Sequence, residues 1–303
     1  MRLESRPRGL KSEHSWLWCK RIVAQASAYG LLLLTPFLLP AQTAKPRMPI
    51  GYGDAGIGEF HGEVVGQELD TRTVVSPNGQ MEFRVFVGQP SGTLFARIGF
   101  EIRYRGKPVL ALSWVGLDLR DQEPYLGENP GLMSSDSGSN PAQHYNYVVA
   151  HYMQNGTLGR QIDVEARAYD DGIAFRYFIP LTNPVADFYL RDEMTQFNFA
   201  RPGVLDRLPN QPDFDLPFFV EEPGVGWVEI AESRPAGHSS VNYPPTYLIR
   251  SGDGMRTNLP RSKSDPTVAY SGVTPLTWLW RVVLVGPDRE RLLQSETVRN
   301  LSQ

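Results

Sequence analysis

The stretch that most limits what this chain can become is Gln161 to Pro180, QIDVEARAYDDGIAFRYFIP. Asp171-Gly172 has the chemistry of a two-residue hairpin loop, where positive φ is needed at both central positions. A loop there sets Ala168 opposite Phe175, Ala166 opposite Tyr177 and Val164 opposite Ile179. These six and Ile162 then share one face, with small alanines facing large aromatics. The other face carries Asp163, Glu165, Arg167 and Arg176, so an acid, Glu165 or another, is expected between the two arginines. A slip of one residue turns the apolar set outward, which specifies the register. Pro180 stops the second strand.

Other segments repeat this pattern. Ser76-Pro77-Asn78-Gly79 supplies turn residues between two strands, and Met81, Phe83, Val85 and Val87 alternate with polar neighbours. From Leu94 to Tyr104 one face holds Leu94, Ala96, Ile98, Phe100, Ile102 and Tyr104. Arg105-Gly106-Lys107-Pro108 turns the chain into further strand, and Asn155-Gly156 marks another hairpin. Residues 121–143 read as a long polar loop. Short strands are expected at Trp227–Ile230 and Tyr247–Ile249. Leu276–Val285 reads as one apolar final strand, and Pro287–Asn300 as a short terminal helix. With 28 Gly and 25 Pro, the chain reads as all-β, built of antiparallel sheets.

Residues 1–44 read as an export signal: a basic start, an apolar run from Ala28 to Leu39, then the small residues Ala41, Thr43 and Ala44. The run is short and interrupted by Thr35-Pro36, so cleavage is expected rather than a stable membrane span. The expected location is periplasmic or extracellular. Residues 45–70 read as a flexible approach segment and 71–303 as the folded domain. The formal net charge is −3, and the first 44 residues are basic, leaving an acidic body that gives no reason to expect nucleic acid. The single cysteine, Cys19, excludes a disulfide framework and a cysteine metal site.

Local motifs for chemistry are sparse. SSDSGS (134–139) lacks a nucleophile elbow, and the sequence holds no HExxH, P-loop or dinucleotide fingerprint. His144 and His151 are seven residues apart on one expected strand, hence on opposite faces. Asp170-Asp171 is explained by turn chemistry. Trp227, Tyr243 and Tyr247 are candidate carbohydrate contacts, because aromatic rings stack on sugars, although a buried aromatic cluster explains them as well. Glu232 stands at the end of the strand WVEIA, beside this aromatic region.

The segments RAYDDGIAFRYFIP and DEMTQFNF, in order with SPNGQMEFRVFV, YRGKPVL, GLDL, HYNYVVA, IAES, WRVVLVG and Asn300-Leu301, resemble the N-terminal domain of glycoside hydrolase family 97 over about residues 71–303. The resemblance implies a β-super-sandwich similar to galactose mutarotase. In that family the sandwich precedes a (β/α)₈ barrel, which holds the catalytic carboxylates and most of a calcium site. Members hydrolyse α-glucosidic or α-galactosidic bonds. Glu232, in IAES, is the position matching the one glutamate that the sandwich gives to calcium in some members. The sequence departs from the family just after it, at SRPAGHSSVNYPP. A barrel needs roughly 250 further residues, so no catalytic residue is assigned here. Three readings follow: a non-catalytic carbohydrate-associated sandwich that binds glycan, docks a barrel or self-associates; a glycosidase when a barrel is supplied; or a mutarotase-like aldose epimerase using His144 or His151 with a glutamate.

Overall fold

Alternating apolar and polar residues, punctuated by Gly, Pro and Asn, give strands almost throughout the computed structural model, which describes residues 64, 67–156, 159–181, 185–238 and 240–302. Residues 1–44, expected to be an export signal, and most of residues 45–70, expected to be an approach segment, lie outside these residues. β1 (Leu69–Val75), β2 (Met81–Gly88), β3 (Arg97–Tyr104) and β4 (Lys107–Trp114) form a four-stranded antiparallel meander. β5 (Leu117–Leu119) follows. Then β6 (Pro130–Asn140), β7 (Tyr145–Gln154), β8 (Gln161–Tyr169) and β9 (Gly172–Ile179) pair successively.

Shorter strands come next: β10 (Asp187–Glu193), β11 (Gln196–Asn198), β12 (Phe214–Asp215) and β13 (Phe218–Glu222), with a 3₁₀ turn at Val204–Arg207. β14 (Gly226–Ser233), β15 (Tyr247–Ser251), β16 (Gly254–Asn258), β17 (Tyr270–Val273), β18 (Leu276–Thr277) and β19 (Trp280–Gly286) complete the sheets. Helices α1 (Arg289–Leu293) and α2 (Thr297–Asn300) close the described chain. The largest sheet runs β13-β14-β19-β9-β8-β7-β6, with β18 also on β9. Two smaller sheets run β17-β10-β5 and β11-β16-β15-β12.

The fold is an all-β antiparallel sandwich. Its core lies between the meander and the large sheet. Phe175 of β9 meets Phe83 of β2 at 5.6 Å and Phe100 of β3 at 4.8 Å between ring centroids. Ile162, Val164, Ala166, Ala168, Ile173, Tyr177 and Ile179 join Phe175 in this layer and are buried, as their alternation predicts. Among the described residues no helix is long and apolar enough to cross a membrane.

Four sequence readings are corrected. The β8–β9 register is Ala168 with Ile173, Ala166 with Phe175 and Val164 with Tyr177. The loop is therefore Asp170-Asp171, and Gly172 already belongs to the strand. Its role is close approach: a Cβ at Gly172 would lie 2.4 Å from Leu284 Cδ2 and 2.7 Å from the Val283 carbonyl. A shift of two residues keeps every side chain on its expected face.

Second, the polar 121–143 segment contains β6. This strand ends the large sheet and, among the described residues, pairs only with β7, so nothing demands apolar alternation from it. Third, the strand read from Leu94 begins at Arg97, and Leu94 and Phe95 are exposed. Fourth, LTWLWRVVLV is broken between β18 and β19, where Trp278 is fully buried, and the single terminal helix is two short ones. Pro287 precedes the N-cap Asp288, whose side chain accepts from the Arg291 amide.

Candidate functional site

Arg281 is the only charge between Leu276 and Val285 and is fully buried. A charge in such a run needs a buried partner, and the fold brings one from β10. Arg281 Nε donates to Glu193 Oε1 at 2.9 Å, and Nη2 also meets the Glu193 carboxylate. Glu193 accepts further from Thr195 Oγ1 at 2.6 Å and from Trp278 Nε1 at 2.7 Å. The Tyr177 hydroxyl extends the network to Thr195 at 2.5 Å. Burial pushes the Glu193 carboxyl up, but Arg281 and these donors outweigh it and hold the group below its usual range. Burial pushes the Tyr177 hydroxyl well up.

The third Arg281 nitrogen leads outward. Nη1 donates to Glu232 Oε2 at 2.8 Å and to Thr246 Oγ1 at 3.1 Å. Glu232 and Arg281 are cross-strand partners on β14 and β19. The Glu232 side chain keeps 28% of its surface exposed, so the network runs from a sealed carboxylate to one at the protein surface. Glu232, Ser233, Arg234, Tyr243, Pro244, Pro245 and Leu279 line a cleft of about 400 Å³. Tyr243, Pro244 and Pro245 also line a wider cleft of about 760 Å³, which reaches Arg261, Lys263 and Tyr270.

Of the three aromatic candidates, Tyr243 alone lines these clefts. It is a wall more than a platform. Its ring is buried against Trp278 (5.5 Å, edge-on) and Tyr270 (6.2 Å, stacked), and its hydroxyl donates to the Thr277 carbonyl at 2.6 Å. Burial pushes that hydroxyl up to about 12. Trp227 is the second residue of β14, roughly 16 Å from Glu232 at strand rise, and packs against the cluster of Tyr145, Tyr169 and Trp280. Tyr247, half-buried, stands between Asp215 of β12 and Asn258 of β16. The three do not form one stacking surface.

Neither histidine lines these clefts. His144 precedes β7, and its Nε2 lies 2.8 Å from Asp170 Oδ2. His151, on β7, sits between Asp136 (3.1 Å) and Asp163 (3.0 Å). Calcium takes six to eight oxygens. Glu232 has one oxygen on Arg281, and among the described residues no group of three or more His, Cys, Asp or Glu is placed to hold a metal. The described residues do not fit a calcium site by themselves.

Sequence reasoning named Glu232 and Tyr243 but passed over Glu193, Thr246 and Trp278 as site residues. The isolated arginine in an apolar strand was the available signal, since it requires a carboxylate from elsewhere in the fold.

Comparison with known proteins bears on this arrangement. Residues 74–206 match the family model described as glycosyl-hydrolase 97 N-terminal. The match assigns this segment, 133 of the 303 residues, to the glycosyl-hydrolase 97 N-terminal family. Solved structures agree at the level of fold. One is a family 97 glycoside hydrolase from Pseudoalteromonas sp. strain K8, solved in complex with acarbose and, as a variant, with panose. It shares 17% identity at a TM-score of 0.61, over 77% of this chain and 38% of that one. A beta-arabinopyranosidase shares 20% identity at a TM-score of 0.55, over 72% of this chain and 40% of that one. The chain thus spans less than half the length of these enzymes. No curated protein matches the sequence. The matched segment begins within β1 and ends in the 3₁₀ turn, so it includes Glu193, while Glu232 and Arg281 follow it.

Proposed function

We propose that this protein is a non-catalytic, carbohydrate-associated sandwich of a family 97 glycoside hydrolase, which binds glycan or supports a (β/α)₈ barrel. The observation that carries this reading is the commitment of the acids on the candidate wall. Glycoside hydrolysis uses two carboxyl groups flanking the scissile bond, one of them free to give or take a proton. Glu193 is sealed from solvent and held by Arg281, Thr195 and Trp278. Glu232 shares the same arginine. This is the architecture of a positioning wall. In the same proposal Glu232 offers one oxygen to a calcium ion held mainly by other residues. A barrel, or a second copy of the chain, covers the face beside it. The basic and apolar start of the sequence supports export to the periplasm or beyond.

The test is calorimetric titration of the purified protein with α-linked gluco- and galacto-oligosaccharides, with and without calcium. Hydrolysis and mutarotation are assayed on the same sample. Saturable binding without turnover is expected. Turnover would mean that a complete active site lies within the sandwich and would overturn the proposal. Absence of binding in a folded sample would leave the barrel-supporting role alone.

A further inference from the structure

On the face of the large sheet opposite the core, two arginines share one carboxylate. Arg167 Nε donates to Glu165 Oε1 at 3.0 Å and Arg176 Nε to Glu165 Oε2 at 2.8 Å. One Nη2 of each lies within 2.9 Å of the same oxygens. Both guanidiniums lie against the Trp280 ring, Arg167 at 4.6 Å and Arg176 at 4.2 Å from its centroid, and Arg167 also lies 4.7 Å from that of Tyr145. Trp280 is buried beneath them. The stack fixes both planes in place, and two positive charges meet one negative.

The charge excess opens into a cleft of about 250 Å³, whose wall includes Arg167, Arg176, Gln143, His238 and Asn300. Arg176 Nη1 meets no acceptor among the described residues, so it is a donor left for a ligand. A fixed guanidinium presents planar paired donors, a geometry that suits a carboxylate. Around it the wall carries neutral hydrogen-bonding groups. Gln143 and Asn300 hold amides. His238 Nδ1 lies 2.9 Å from the Ala236 carbonyl, so Nδ1 carries the proton and Nε2 is an acceptor in the neutral ring. The cleft has room for one sugar ring.

We propose that this cleft binds a carboxylate-bearing sugar, a hexuronate, with its carboxylate on Arg176 and Arg167 and its hydroxyls on Gln143, His238 and Asn300. The choice of a sugar rests on the carbohydrate-associated reading above; the choice of a carboxylate rests on the arginine pair alone. Neither Glu232 nor the Tyr243 cleft takes part.

The test titrates the protein, at fixed ionic strength, with D-glucuronate, D-galacturonate, D-glucose, acetate and sulfate, followed by calorimetry and arginine side-chain NMR. Saturable binding of a hexuronate is expected, at least tenfold tighter than glucose or acetate. Arg176→Gln should weaken it at least tenfold and Arg176→Lys by less. Since either substitution also disturbs the stack on Trp280, His238→Ala serves as the second variant. It should narrow the preference for hexuronate over acetate without moving the melting temperature. Equal binding of glucose and glucuronate, or a response unchanged in both variants, overturns the proposal. Acetate or sulfate binding as tight as that of hexuronate reduces the cleft to a simple anion site and overturns its sugar assignment. A neutral α-oligosaccharide arm separates the two readings, because it reports on carbohydrate association with no demand on the arginines.

Discussion

At the scale of single residues, the Glu193–Arg281 pair is the most deeply buried ion pair among the described residues. Both side chains are fully buried and the carboxylate accepts from three residues. Removing one partner of such a pair leaves a charge without compensation, at a cost of about 3–5 kcal/mol. Glu193→Gln is therefore expected to lose on the order of 3 kcal/mol in urea unfolding at pH 7. The folded-state carboxyl is held below its unfolded value. Its stabilisation is thus present above an unfolded pKa of about 4.3 and fades as the pH falls through the folded value. The gap between variant and parent should accordingly shrink in acid.

Glu229 has the opposite sign. Burial pushes its carboxyl up to about 7, and its Oε2 has no hydrogen-bond partner among the described residues. The folded protein then holds a proton that the unfolded chain releases between about pH 4 and 7, so stability falls as the pH rises through that window. Glu229→Gln should flatten this slope, gaining on the order of 1 kcal/mol at pH 8 and nothing below pH 4. A parallel offset at every pH would show that the carboxyl does not titrate in this way.

At the scale of elements, β8 and β9 show how far a sequence pattern reaches. Which residues face the core was legible, because that depends only on parity. Which residues pair was not, because Asp-Gly describes a loop equally well one step earlier, and the deciding contact comes from β19, more than a hundred residues later. Gly172 is required where Leu284 and the Val283 carbonyl press on it. Gly172→Ala should therefore cost about 1–3 kcal/mol by forcing β9 and β19 apart. The control is Gly79→Ala, a turn position with φ of 73° and open space around it, where only backbone strain of about 1 kcal/mol applies. Urea unfolding of the two variants, with amide exchange on β19, distinguishes the mechanisms. Faster exchange on β19 is expected for the first alone. β6 was missed for a related reason: an exposed edge strand leaves no apolar periodicity to read.

At the scale of the whole molecule, the candidate site was half legible. Glu232 and Tyr243 came from linear segments, whereas the wall that holds them is assembled by β10, β14 and β19, and only the fold supplies that meeting. The same holds for Asp171, which its neighbours mark as a turn residue. Its carboxylate in fact accepts from Ser295 Oγ at 2.6 Å and Thr297 Oγ1 at 2.8 Å, tying the β8–β9 tip to the C-terminal helices. α1 and α2 have five and four residues, too short to persist without tertiary support. Their other anchors include Leu292 and Leu301, buried in the cluster around Trp280 on the same face as the arginine pair, and the Val298 carbonyl, which accepts from Ser233 Oγ at 2.9 Å. Asp171→Ala should therefore release the helices before it affects the sheet. The expected result is faster amide exchange across residues 289–302, by roughly ten- to a hundredfold for a loss of about 1–3 kcal/mol. Exchange within β7, β8 and β9 should change little. Because Asn300 lines the hexuronate cleft, the same variant should also weaken hexuronate binding while leaving Arg167 and Arg176 stacked on Trp280. Uniformly faster exchange through the large sheet would show instead that Asp171 serves the hairpin turn, as its sequence suggests.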